Sequence, residues 1–254
     1  MKIFCTKIKS VVSVVVLPLI AILLALFIAV TNTGAVYFGN AMRLVPIYRV
    51  STSEKKVALT FDAAWGSDKT SKIVETLNSY GIKGTFFLVG FWIEKNADKV
   101  KMIDEAGFDI GTHSNTHPKM STLSASQISS ELSVSMKLIT DITGKPVKFF
   151  RAPFGDYNDT VLNEASSLGL KTIQWDVDSL DWKGLSANEI LARVKASVQN
   201  GSIILCHNNS DHILDALPLI INYLISEGYK MVKISELVYE NDYLIDNSGL
   251  QKLK

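Results

Sequence analysis

The chain has 254 residues, 47% of them hydrophobic, enough for one sizeable core and an appendage. Acids and bases nearly cancel at a net charge of +1, which excludes a general nucleic-acid binder and a long charged disordered tail. The two cysteines, Cys5 and Cys206, lie in unlike surroundings, so no disulfide framework is expected.

Lys2, Lys7 and Lys9 precede an uncharged apolar run, Val11 to Val30. At about 1.5 Å per residue this run is long enough to span a hydrocarbon core of about 30 Å. The lysines place the N-terminus in the cytoplasm and the remainder outside. Residues 1–34 therefore read as a cytoplasmic stub and an uncleaved signal anchor, one transmembrane helix of a single-pass cell-membrane protein. A cleaved signal peptide is the rival reading, and Thr33-Gly34-Ala35 is a weak candidate cleavage site. Residues 35–54 read as a linker able to pack on the domain C-terminal to it.

From Lys55 short β-rich runs alternate with longer amphipathic stretches. The runs cover 57–61, 84–89, 108–112, 147–151, 170–175, 202–206 and 230–234. Helical stretches are expected over 70–80, 96–106, 124–143, 160–168, 187–199 and 214–227, each followed by a glycine suited to a left-handed cap. Strand–helix alternation means parallel strands with helical crossovers. The strands are almost continuously apolar, as expected when both faces are covered. An open doubly wound sheet and a β/α barrel both fit this pattern. The folded domain is expected over 55–240, and 241–254 reads as a frayed polar tail.

Active sites of β/α folds lie at the carboxyl ends of the strands. The first run ends in Asp62, the third in His113 with His117 four residues on, the fourth in Arg151, and the sixth in His207. The fifth leads into Asp178, Asp181 and Trp182. If residues 113–117 turn helically, the two imidazoles stack and can grip one divalent ion together with a neighbouring carboxylate. Asp62 is a candidate ligand or base, and Arg151 a partner that holds its pKa down. His207 has the proton affinity of a general acid, with Asp178 or Asp181 available to orient it. Cys206 is expected to point away from His207 by strand parity, as a buried apolar residue. His212 falls in a loop, where a solvated histidine is the default.

Taken together, TFD at 60–62, HSNTH at 113–117, RAPFG at 151–155, DSLDW at 178–182 and ILCH at 204–207 resemble the motifs of the polysaccharide deacetylases with a NodB-homology domain. The FDAAWG version of the first motif is most similar to the sporulation-associated branch. The resemblance implies a distorted parallel (β/α) barrel of about seven strands that removes N-acetyl groups from peptidoglycan or a similar glycan. It implies Asp62 as base, His207 as acid steadied by Asp181, and Arg151 tuning the base. It further implies His113 and His117, with Asp62, as ligands of a divalent metal, zinc above all. Trp182 and the backbone of Phe154 would contact substrate. Where the family usually carries a second aspartate as third metal ligand, this chain has Ala63, so metal affinity is expected to fall, or another oxygen, from Asp62, water, Asp68 or Asp156, must serve instead. Where tyrosine is common, the chain has Phe154. The alternative to an enzyme is therefore a catalytically weakened protein that binds glycan.

Overall fold

A computed structural model describes residues 18–25 and 44–254. The chain divides into two units, Met1–Arg43 and Leu44–Lys254. Residues 18–25 are helical with exposed side chains. The remainder of the expected membrane run, and residues 35–43 of the expected linker, lie outside the described residues. No helix among the described residues is long and apolar enough to cross a membrane.

In chain order the second unit comprises β1 (Arg49–Val50), β2 (Lys56–Ala63), α1 (Thr70–Ser79), β3 (Thr85–Leu88), α2 (Gly90–Lys95), α3 (Ala97–Glu105) and β4 (Asp109–Thr112). There follow α4 (Ala125–Thr143), β5 (Phe149–Phe150), α5 (Asp159–Ser167), β6 (Lys171–Thr172), β7 (Val177–Asp178), α6 (Ala187–Ser197) and β8 (Ile203–His207). The last elements are α7 (Ile213–Ser226), β9 (Lys230–Val232), α8 (Ile234–Leu237), β10 (Tyr243–Ile245) and β11 (Leu250–Leu253). Every helix expected from the sequence forms within about two residues. Ser124 and Ser186 cap α4 and α6 as reciprocal capping boxes with Gln127 and Glu189, satisfying amides that would otherwise lack partners.

The strands build one parallel sheet in the order β6-β5-β4-β3-β2-β8-β7, with β9 pairing β2 beside that path. The sheet curls, as expected of a β/α barrel, and side-chain parity sorts it into two faces. Val57, Leu59, Phe61 and Ala63 of β2 join Phe86, Leu88, Phe150, Ile204 and Cys206 in the large cluster that the helices cover. Ala58, Phe87, Phe149 and Ile203 fill the concave interior instead. Cys206 is thus a buried apolar residue on the helix side, and His207, one residue on, turns inward. Burial pushes its thiol well up, which suits an inert packing group.

Residues 47–50 link β6 to the segment that enters β8. Ile47 donates to the Thr172 carbonyl (3.0 Å) and accepts from the Gln174 amide (2.7 Å), while the Val50 amide donates to Gly201 (3.0 Å). Residues 44–54 of the expected linker thus pack as part of the folded unit. The expected frayed tail is corrected: β10 and β11 form a hairpin, and β11 pairs in parallel with β1. The amide of buried Gln251 exchanges hydrogen bonds with the Tyr239 backbone (3.0 and 2.9 Å), which docks the hairpin.

Candidate active site

The register of β2 against β8 places Asp62 directly beside His207. Both side chains enter the carboxyl end of the sheet, where β4 delivers His113 and β5 delivers Arg151. Asp62 and Arg151 are buried and form an ion pair, Nη1 to Oδ1 at 2.8 Å. The same Nη1 donates to Thr60 Oγ1 (2.8 Å), and Nη2 to the Gln174 carbonyl (3.1 Å). The guanidinium lies over the Phe87 ring, 4.2 Å from its centroid. Burial pushes the Asp62 carboxyl up, but the Arg151 guanidinium, with the nearby histidines, outweighs it and holds the group below its ordinary value. Asp62 is therefore ionised throughout the neutral range, with Oδ1 committed to Arg151 and Oδ2 turned towards His113.

His113 Nδ1 donates to the Arg151 carbonyl (2.8 Å), which fixes the tautomer and leaves the Nε2 lone pair facing Asp62 Oδ2 at 3.5 Å. Burial lowers its proton affinity more than Asp62 raises it, so the ring is neutral. Residues 113–117 do not form the expected helical turn. Ser114 (φ 69°) and His117 (φ 61°) are left-handed, and this loop geometry brings the two rings edge-to-face with centroids 4.9 Å apart. Glu131 of α4 holds the loop by accepting from the Asn115 amide (2.9 Å), the Thr116 amide (2.8 Å) and the Thr116 hydroxyl (2.7 Å). Gly90 permits the close approach, since a Cβ there would lie 2.0 Å from Asn115 Oδ1. Burial and the neighbouring His113 hold His117 down to about 4, and its buried Nδ1 has no partner among the described residues.

Of the two acids available to His207, the fold selects Asp181. Its Oδ1 lies 2.7 Å from His207 Nδ1, and its Oδ2 accepts from the His207 amide (2.8 Å) and the Ser210 hydroxyl (2.9 Å). Asp178 instead accepts from the Leu180 amide (2.9 Å), shaping the turn that carries Asp181 inward. Burial lowers the His207 pKa, but the hydrogen bond and charge of Asp181 outweigh it and raise it above the usual value. That raised pKa contributes stability below about pH 6.5, the unfolded value, and the contribution disappears as pH rises through the folded pKa. Replacing Asp181 with asparagine removes the charge that chiefly opposes burial and leaves only the weaker pull of Asp62 and Asp178, so the imidazole pKa is expected to fall. An NMR titration of the His207 ring measures it, and an unchanged midpoint would rule out Asp181 as the group that charges it.

The sequence profile of the family described as polysaccharide deacetylase matches residues 49–173. PdaA of Bacillus subtilis, a peptidoglycan-N-acetylmuramic acid deacetylase, is 31% identical over 77% of this chain and 76% of its own length. The chain belongs to the polysaccharide deacetylase family. Bacillus subtilis YlxY, an uncharacterised protein, is 32% identical over 78% of this chain, which spans 62% of the YlxY length. The crystal structure of BA3943 from Bacillus anthracis, a CE4 family pseudoenzyme, superposes with a TM-score of 0.74 at 38% identity, covering 76% of this chain and 68% of that one. A mutant of BA3943 with restored enzymatic activity superposes equally well.

Within this family chemistry the metal-ligating residues are the test. Two neutral imidazoles are present, His113 with a free Nε2 and His117 with an unpartnered nitrogen. No three His, Cys, Asp or Glu side chains gather as a metal-binding group among the described residues. Ala63 is fully buried in the helix-facing cluster, on the opposite side of β2 from Asp62. Asp156 accepts from the Ser121 amide and hydroxyl (both 2.8 Å), so it is committed elsewhere. Asp62 Oδ2, 3.5 Å from His113 Nε2, is therefore the carboxylate oxygen that stands with these imidazoles to hold an ion, and neither position 63 nor Asp156 adds another.

Phe154 and Trp182 stand exposed beside the cleft, at 63% and 58%. Phe154 is left-handed (φ 60°) and its ring meets His117 at 4.6 Å. Sequence reasoning missed Thr60, which relays Arg151 to the Ile204 carbonyl (2.7 Å), and Glu131. It also missed Asn208, whose amide bonds Gly66 and Thr70 (both 3.0 Å) to tie the first motif's loop to β8. The threonine of TFD and the asparagine beside His207 were the available signals. Glu131 had none, because it reads as an ordinary solvent-facing helix charge.

Proposed function

We propose that this chain is a hydrolase that removes N-acetyl groups from cell-wall amino sugars in peptidoglycan or a related glycan, and that its turnover is slow. One observation carries the reading: the Asp62–Arg151 pair and the His207–Asp181 pair adjoin across β2 and β8 in one cleft. Asp62 Oδ2 accepts the proton of a water that attacks the acetamide carbonyl. The backbone N–H of Phe154 is the donor offered to the developing oxyanion. His207, charged by Asp181, gives its proton to the departing amine as the carbon–nitrogen bond breaks. PdaA, whose name gives it the same reaction on peptidoglycan, supports the substrate class.

The reason for slow turnover is electrostatic. A carboxylate held as low as Asp62 is ionised but weakly basic, so it needs an electrophile to acidify its water. Zinc or another divalent ion would supply that in the family, and here position 63 brings no carboxylate to the two imidazoles. The same observation favours a second reading, a glycan-binding protein without turnover, and the resemblance to the BA3943 pseudoenzyme supports it. The lysine-flanked apolar run at 11–30 supports placing the domain outside the cytoplasmic membrane.

Acetate release decides between these readings. The purified full-length chain is incubated with peptidoglycan fragments and N-acetylglucosamine oligomers, with each of several divalent metals and with chelator. The hydrolase reading expects measurable acetate, abolished in the His207→Gln variant. Glycan binding with no acetate under any condition would establish the binding protein instead.

A further inference from the structure

Trp65 takes no part in the hydrolytic apparatus, yet it is 64% exposed at the cleft. Its backbone is pinned. The neighbouring Gly66 is left-handed (φ +66°), and its carbonyl accepts from Trp92 Nε1 (2.7 Å) and Asn208 Nδ2 (3.0 Å). A Cβ at position 66 would sit 2.0 Å from Asn209 Nδ2, so glycine is what lets the loop lie against that side chain. The indole itself meets the His117 ring edge-to-face at 4.7 Å and leans on Phe91 at 6.1 Å. Phe154, also largely exposed, meets the same imidazole at 4.6 Å. Two large rings thus flank one neutral imidazole while most of their surface faces water.

Rigid, exposed aromatic area of this kind is unfavourable in the free protein and ready for an apolar ligand face. The C–H face of a pyranose ring is such a face, and its hydroxyl edge keeps the remainder in water. Because the backbone and the inner edge of the indole are already fixed, stacking would cost little further ordering.

We propose that Trp65 is a sugar-stacking residue: it binds a pyranose ring adjacent to the one whose acetamide faces Asp62, and so selects for N-acetylated chains over single sugars. This rests on the glycan reading of the cleft. With the stacked ring the neighbour of the one seated at Asp62, the contact would make affinity depend on chain length.

Calorimetric titration of the full-length chain with N-acetylglucosamine monomer and tetramer tests it, with acetate measured in the same samples. Trp65→Ala should bind the tetramer about tenfold more weakly while leaving the monomer unaffected, and Trp65→Phe should restore most of the loss. Unchanged tetramer affinity in Trp65→Ala overturns the proposal. Equal loss for monomer and tetramer also overturns it, because that pattern marks a packing role through His117. Selective loss of tetramer binding in a chain that releases no acetate upholds the stacking residue and fails the hydrolase reading alone. A wild-type chain that binds neither sugar overturns both.

Discussion

Replacing Arg151 with methionine is expected to destabilise the folded domain by about 3–5 kcal/mol. The guanidinium is fully buried, and Asp62, with 5% of its surface exposed, relies on it as its only cationic partner within ion-pair distance among the described residues, the nearby histidine being neutral. Removing Arg151 leaves a buried carboxylate without compensation, and it also takes the donor from the Gln174 carbonyl and one of two partners from Thr60 Oγ1. A domain of this size has about 5–15 kcal/mol in total, so the variant is expected near its threshold. Chemical denaturation at neutral pH measures the loss. The double variant Arg151→Met with Asp62→Asn removes both charges and should recover a large part of it. If the double variant is as unstable as the single one, the ion pair is not the source of the loss, and the contact with Phe87 becomes the explanation.

Ala63→Asp is expected to show opposite signs with and without metal. Ala63 has no solvent exposure and packs among apolar side chains on the helix face of β2. A carboxylate there lacks a partner, and in chelator the variant should lose about 2–4 kcal/mol of stability. With zinc, the strand end can turn that carboxylate towards His113 and His117, giving three protein ligands. Saturating the site at about 100 times its dissociation constant would return about 2.7 kcal/mol. Thermal denaturation with and without zinc reads both arms, and acetate release should rise only where the metal stabilises. A variant that is destabilised and indifferent to zinc would mean that position 63 cannot reach the histidines. The mutant of BA3943 shows that activity can be restored within a closely similar fold.

The fold was legible wherever period and length reinforced each other. The helix over 124–143 was marked by its amphipathic pattern and a terminal glycine, and the structure has both, with a Ser124–Gln127 capping box besides. The strand ending at Asp62 was marked by an uninterrupted apolar run. Elements of two residues, such as β1 and β7, carry no period, and β1 exists only because distant segments supply its partners. The tail misled for a similar reason: its polar composition hides a hairpin whose pairing is set by β1. At the site, the residue types and their strand-end positions were readable. Their relations were less so. The choice of Asp181 over Asp178 depends on the left-handed Leu180, and the approach of His113 to His117 depends on a loop held by a glutamate on another element. Ala63 was legible as a missing oxygen, but not as a residue facing away from Asp62.

The pairing of Arg49 with Leu250 has a consequence for how the chain is made. A strand near the start of the folded unit waits for one near its end, so the parallel sheet can assemble during synthesis while its seam cannot. Until Leu250 and Gln251 emerge, residues 49–50 have only part of their pairing partners. Such end-to-end contacts form late, since the whole intervening chain must be closed to reach them. A chain released early would therefore carry all of its catalytic side chains in an unsealed domain, open to proteolysis and mispairing at that edge.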